Sequence, residues 1–301
     1  MPHPHFHSAP MKKLILSCIL TLVFVGVELF TGTIAHSLAL VSDAGHNFAD
    51  ALALLLSLGA VKVAQTTATS KKSFGYHRVT ILAAIINALA LVLIALYIFW
   101  EAYRRLGEPQ NVDSNLMIGV AFIALILNGT ISYWLRNDTH DLNTRSAYVH
   151  MLGDALAAIG VILAGILILF TNAYWIDSFV SVLIGVFILW SSWDILREGV
   201  DVLLEAAPKG LDVEAIENAI KQSVGVLAIH DLHIWTISSG MFACSCHIVV
   251  SKNTIEEGQQ VIKTIIGELQ SRFHIGHTTI QIEVEGCDPN DVYCSISTRK
   301  H

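Results

Sequence analysis

Six long apolar stretches dominate the chain: Leu14–Ala35, Ser37–Val63, Val79–Tyr103, Leu116–Leu135, Ala147–Phe170 and Tyr174–Leu196. About 20 apolar residues in a helix cross the hydrocarbon core of a bilayer. In that medium each backbone N–H and C=O must be paired inside the protein, so lipid-facing segments are helices or closed barrels. Runs of this length predict six transmembrane helices. Only 14% of the residues are charged and the mean hydropathy is +0.59, whereas soluble domains carry about 25% charged residues. The first stretch is too long for the apolar part of a secretory signal and no small-residue cleavage site precedes the next helix, so it reads as a permanent helix. Polar residues return after Pro208, where a small soluble domain is expected. The expected division is a His-containing tail over residues 1–13, a six-helix domain over 14–207, a cytoplasmic domain over 208–286 and a C-terminal tail over 287–301.

Lys and Arg set the orientation. One side of the membrane would hold Lys12, Lys13, Lys71, Lys72, Arg78, Arg136, Arg145, Arg197 and Lys209, and the other only Arg104 and Arg105. Both termini are therefore expected in the cytoplasm, and the protein in the cell (inner) membrane. A net charge of −7 is too mild to argue for an acidic or basic partner, and no nucleic acid is expected. Cys18 falls in the first helix and the other four cysteines in the tail. A reducing compartment disfavours disulfides there, leaving thiol–metal ligation or inert packing.

The second helix contains His46-Asn-Phe-Ala-Asp50-Ala-Leu-Ala and the fifth His150-Met-Leu-Gly-Asp154-Ala-Leu-Ala, so both read H-x-x-x-D-A-L-A. Internal repeats in transporters tend to put the substrate site at their interface near the midplane. A spacing of four sets each His and Asp one turn apart on one helix face. Packed face to face, two such helices present two imidazoles and two carboxylates to one point, a set suited to four-coordinate Zn2+. Each Asp at the centre of a membrane helix costs about 2.5–3.5 kcal/mol on insertion scales. The pair costs roughly 5–7 kcal/mol, comparable with a small protein's whole stability. A metal, protons or a partner charge has to offset that. The bland alternative is a hydrogen-bonded His–Asp network without metal. Asp43, one turn before His46, is an outer partner of the ligands, a proton acceptor, or a solvated residue at the helix end.

These motifs, with Ser37-Leu-Ala-Leu-Val-Ser-Asp-Ala-Gly leading into His46, Phe74-Gly-Tyr-His77-Arg78, and Val226-Leu-Ala-Ile-His230-Asp-Leu-His233-Ile-Trp235, resemble the cation diffusion facilitator family, in particular its zinc-transporting branch. The resemblance runs from about Leu14 to Glu285. It implies a homodimer that exchanges cytoplasmic Zn2+ for protons by alternating access, with His46, Asp50, His150 and Asp154 binding the transported ion. Branches with Asp at the position of His46 tend to accept Cd2+ beside Zn2+, and those with His favour Zn2+. Arg78 and Glu205 match a family ion pair. A separate loop metal site of other branches lacks its ligands here, with Lys72 and Tyr76 in their places.

In the tail, Leu211–Ser223 has helical spacing, Val226–Ser238 and Met241–Val250 read as strands joined at Ser239-Gly240, Thr254–Phe273 is an amphipathic helix, and His277–Glu285 alternates as a last strand. The order αββαβ predicts an α+β domain with two helices on one face of a small sheet, and the family implies the same ferredoxin-like, metallochaperone-like fold. By resemblance, His230, His247 and Glu283 align with zinc-binding residues, against the alternative of ordinary strand-surface groups. Gln281 stands where some members carry His, which argues against a binuclear cluster. Cys244 and Cys246 share one strand face beside His247 and are expected to pack in the core. Cys287-x6-Cys294 is wider than a usual zinc pair. His3, His5 and His7 form a tract suited to weak metal capture or a plain tail, and the loop around His140 is short and not His-rich.

Two other functions compete. An intramembrane metal hydrolase needs a metal-bound water and a general base, commonly supplied by H-E-x-x-H; that motif is absent, and two His/Asp pairs close the coordination of a metal. A membrane metal sensor needs an output domain beyond a tail of this size. A metal exporter, not an enzyme, is the reading the sequence supports.

Overall fold

The computed structural model describes residues 8–136, 142–251 and 254–284. Six long helices come first: α1 (Ser8–Ile34), α2 (Leu38–Ala64), α3 (Val79–Gly107), α4 (Ser114–Leu135), α5 (Leu142–Thr171) and α6 (Trp175–Leu203). Then follow α7 (Val213–Lys221), β1 (Val226–Ser238), β2 (Met241–Val250), α8 (Ile255–Phe273) and β3 (Ile275–Glu283). Among the described residues, five helices, α2 to α6, are long and apolar enough to cross a membrane, and α1 contributes the shorter apolar run Ile19–Ile34. Several helices outrun the apolar stretches that announce them. α3 continues to Gly107 through Arg104 and Arg105, and α6 to Leu203 through Arg197 and Glu198. Hydropathy registers only the part that faces lipid, while the backbone keeps its helical hydrogen bonds beyond it.

The chain forms two compact units, one within Met1–Leu58 and Ile86–Leu196 and the other within Gly59–Ile85 and Arg197–His301. In the first unit, α4 and α5 pack along a seam of small side chains in which Ala121, Ala124, Ala158 and Ala164 are all buried. Small residues let membrane helices approach closely where no hydrophobic drive favours one apolar neighbour over another. At Gly165 the seam is close: a Cβ there would stand 2.7 Å from Ile118 Cγ1. A second cluster joins α2, α3 and α6 through Ala49, Leu91, Ala95, Ile98 and Ile188.

One end of α2 is pinned by charge. Asp177 at the start of α6 accepts hydrogen bonds from Leu38 N at 2.6 Å, Ala39 N at 3.2 Å and Ser37 Oγ at 2.7 Å. The first amides of a helix lack internal partners and carry the positive end of its dipole, so a carboxylate there satisfies both needs. Arg105 closes the network, with Nη1 3.4 Å from Asp177 Oδ2 and Nε 3.1 Å from Glu101 Oε1. These contacts fix the rotation of α2, and hence which face its middle turns present.

In the second unit the sheet order is β1-β2-β3, with β1 antiparallel and β3 parallel to β2. Gly240, at φ +72°, makes the β1–β2 turn that the Ser239-Gly240 pair predicts. Asp212 caps α7 through Ala215 N, and Thr254 with Glu257 forms a full capping box at α8. Ile216 and Ile220 from α7 and Ile265 and Leu269 from α8 join Cys244, Cys246 and Ile248 in one core. Both cysteines are buried in that core, as expected. The hydrogen bond between the two thiols, and then burial, push the Cys246 thiol up. The opposite sheet face is left to the histidines. Arg78 meets Glu205 within this unit, Nη2 to Oε1 at 2.9 Å. Cys287, Cys294, His3, His5, His7 and His140 lie outside the described residues, and nothing is described of the Cys18 side chain.

Candidate metal sites

The periodicity of α2 and α5 brings the two repeated pairs together. His46 Nε2 lies 3.4 Å from Asp50 Oδ2 and 3.9 Å from Asp154 Oδ1. His150 Nε2 lies 3.2 Å from the same Asp50 oxygen and 3.5 Å from Asp154 Oδ2. The two imidazoles stand edge to face, with centroids 5.8 Å apart. Zinc bound tetrahedrally at about 2.0–2.1 Å separates its donors by about 3.3 Å, and the His–Asp separations here, made by two imidazole nitrogens and three carboxylate oxygens, bracket that distance. His46 Nδ1 and Nε2, Asp50 Oδ2 and Asp154 Oδ2 are buried without any hydrogen-bond partner among the described residues. Orphaned polar atoms are costly in an apolar setting, and a shared cation satisfies them together. His46, His150 and Asp154 converge most closely, within 4.8 Å of one another, and Asp50 bridges the two histidines. Asp43 is 3% exposed, so it is not a solvated residue at the helix end.

The second cluster is built by strand register. His230 on β1 is opposite His247 on β2, which is opposite Gln281 on β3, two residues before Glu283. Alternation along a strand puts all four on the face away from α7 and α8. Glu283 sits between the histidines, with Oε2 3.0 Å from His230 Nε2 and Oε1 3.0 Å from His247 Nδ1. Gln281 Nε2 donates to Glu283 Oε1 at 2.7 Å, which orients the carboxylate. Two imidazoles and a carboxylate are a donor set for zinc or a similar ion.

Asp231 escaped the sequence reading. It sits at a bulge in β1 with φ 53°, a conformation Asp tolerates better than most residues. Its Oδ1 lies 3.0 Å from His233 Nε2 and its Oδ2 3.6 Å from His247 Nε2, extending the polar row. The signal available was the H-D-x-H run itself, which breaks strict alternation. Glu28 was missed too; its signal is that it is the only acidic residue in α1.

A bundle of apolar helices around a His/Asp cluster, followed by a small domain with a second cluster, defines a multi-pass membrane transporter of metal cations. Residues 14–204 match the model of the cation efflux transmembrane domain, and residues 208–285 that of the cation efflux protein cytoplasmic domain. The chain is 39% identical to the "Cadmium, cobalt and zinc/H(+)-K(+) antiporter" of Bacillus velezensis, over 99% of this chain and 97% of that protein. It is 38% identical to the "Metal cation efflux system protein CzcD" of Cupriavidus metallidurans, over 96% and 92%. With the "Zinc transporter ZitB" of Pectobacterium atrosepticum it shares 36% identity over 99% and 93%. The solved metal-bound C-terminal domain of the CzcD transporter covers 24% of this chain and 99% of its own, at 34% identity and a TM-score of 0.23. The chain belongs to the cation efflux, or cation diffusion facilitator, family. It is a metal-efflux transporter and not an enzyme.

Proposed function

We propose that the protein exports Zn2+ from the cytoplasm in exchange for protons, by alternating access, with the ion held by His46, Asp50, His150 and Asp154 between α2 and α5. The observation that carries this reading is the convergence of four side chains from two helices, with His–Asp separations of 3.2–3.9 Å and several of their ligand atoms buried without hydrogen-bond partners among the described residues. Zinc is named among the cargoes of the antiporter and ZitB relatives, and protons among the counter-ions of the antiporters. Histidine binds metal only when neutral, so metal and protons compete for His46 and His150. The protein works as a homodimer in the cell membrane with both termini in the cytoplasm, and His230, His247 and Glu283 bind a regulatory Zn2+ there.

The test is zinc uptake by proteoliposomes. Asp154→Ala and His150→Ala reconstitute as dimers like the parent protein and move no Zn2+. Parental uptake rates from either variant sink the site assignment.

A further inference from the structure

Beside the His/Asp cluster, α1 and α2 enclose a second polar group that metal ligation leaves unused. Glu28 is 0% exposed. Its Oε1 receives no hydrogen bond from any amide, hydroxyl or cation among the described residues. Its Oε2 accepts one long bond, from Asn47 Nδ2 at 3.5 Å. The group facing it is another acid: the carboxyl of Asp43, one turn before Asn47, is in hydrogen-bonding contact with that of Glu28. Two carboxyls meet oxygen to oxygen only when one supplies a proton, because an ionised carboxylate is an acceptor alone. The charged groups that act on the pair from neighbouring positions are Asp154 on α5, felt by both acids, and His46, felt by Asp43. Neither Lys nor Arg is among them.

We propose that Glu28 and Asp43, braced by Asn47, form a proton-binding site separate from the metal ligands, emptied when the metal binds and refilled when it leaves. The inference rests on His46, Asp50, His150 and Asp154 being the transport site. His46 follows Asp43 by three residues, a rise of about 4.5 Å along the helix. A divalent ion arriving that close makes a second negative charge on the pair favourable. The O–H bond between the carboxyls breaks, the proton passes to cytoplasmic water, and the two carboxylates left behind face the ion's field without joining its coordination. Once the site opens to the exterior, a proton from that side restores the O–H bond and weakens the hold on the ion. An all-oxygen set with one amide is a poor competitor for zinc, which favours imidazole nitrogen, and so the two cargoes keep separate seats.

The experiment uses the full-length protein in nanodiscs. Zinc titration calorimetry in two buffers of different ionisation enthalpy gives the protons released per bound ion. Infrared difference spectra record the protonated-carboxyl C=O band on zinc addition. In the parent protein zinc removes such a band. Glu28→Gln is expected to keep zinc binding while releasing about one proton fewer per ion, to lose that band change, and to take up zinc into vesicles with a weakened response to a pH gradient. Asp43→Asn carries the same expectation and serves if Glu28→Gln does not fold. Unchanged proton release and an unchanged band in the folded variant overturn the proposal. So does a parent spectrum in which zinc removes no protonated carboxyl. A variant that loses zinc binding altogether also overturns it, by making these residues part of the metal site. Parental zinc affinity in His150→Ala would instead refute the transport-site reading while leaving the proton count of Glu28→Gln to be judged by itself.

Discussion

At the scale of single residues, the selectivity of the proposed transport cluster turns on what His46 offers that a carboxylate does not. Imidazole is bulky and directional and fixes one nitrogen at a short distance. A carboxylate binds through one oxygen or two and swings to fit a larger ion with more ligands. Raw affinity does not separate zinc from its neighbours, so geometry has to. His46→Asp is expected to raise the ratio of Cd2+ to Zn2+ initial rates in the same proteoliposomes while transport continues. An unchanged ratio with intact transport would move selectivity to the packing around the site. His46, Asp50, His150 and Asp154 were all legible in the sequence, since a spacing of four has one geometric meaning on a helix and buried charge in an apolar run asks for a partner. Glu28 was not, because its partners Asp43 and Asn47 come from another helix and no local pattern encodes that contact. Asp231 was hidden for a different reason: the bulge in β1 shifts it out of the alternation on which strand reading relies.

At the scale of elements, the position of α5 against α4 sets where His150 and Asp154 point. That seam closes at Gly165, where any side chain would press on Ile118, with Cβ 2.7 Å from its Cγ1. Overpacking of this sort typically costs about 1–3 kcal/mol. Gly165→Val should therefore lower the thermal midpoint of the protein in nanodiscs and weaken zinc binding, although Gly165 lies three turns from Asp154 and touches no ligand. Pairing it with Ile118→Ala, which removes the obstructing atoms, should restore part of both losses. No recovery in the double variant would mean that the seam is not what fixes α5. The existence and type of every element could be read from the chain, from the apolar runs and from the helical spacing and alternation in the tail. What could not be read is the close approach at Gly165, or the pinning of α2 by Asp177. Both join residues far apart in sequence: Gly165 meets Ile118, and Ser37 meets Asp177.

At the scale of the whole molecule, the two clusters belong to different compact units and use different scaffolds. One is built on helix periodicity with buried, unpartnered ligand atoms. The other is built on sheet register, with Glu283 already hydrogen-bonded to His230 and supported by Gln281. Although His230 Nδ1 is also buried without a partner, the atoms of this cluster that face one another are already paired, and such a set has less to gain from a cation because binding must first break the internal pairs. The sheet cluster is therefore expected to bind zinc more weakly and reversibly, which suits sensing of the cytoplasmic concentration. None of its residues lies on the α2 and α5 faces that carry the proposed cargo ligands. Replacing His230, His247 and Glu283 together by Ala should leave zinc uptake in place but shift its half-saturation to higher free Zn2+, with about one ion fewer bound per chain at saturation. Initial rates across buffered zinc concentrations, alongside metal analysis of the saturated protein, measure both. Complete loss of uptake by a folded dimer would put these residues in the transport path. A variant with the parental rate curve and the parental metal content would leave the cluster as nothing more than a hydrogen-bonded face of the sheet.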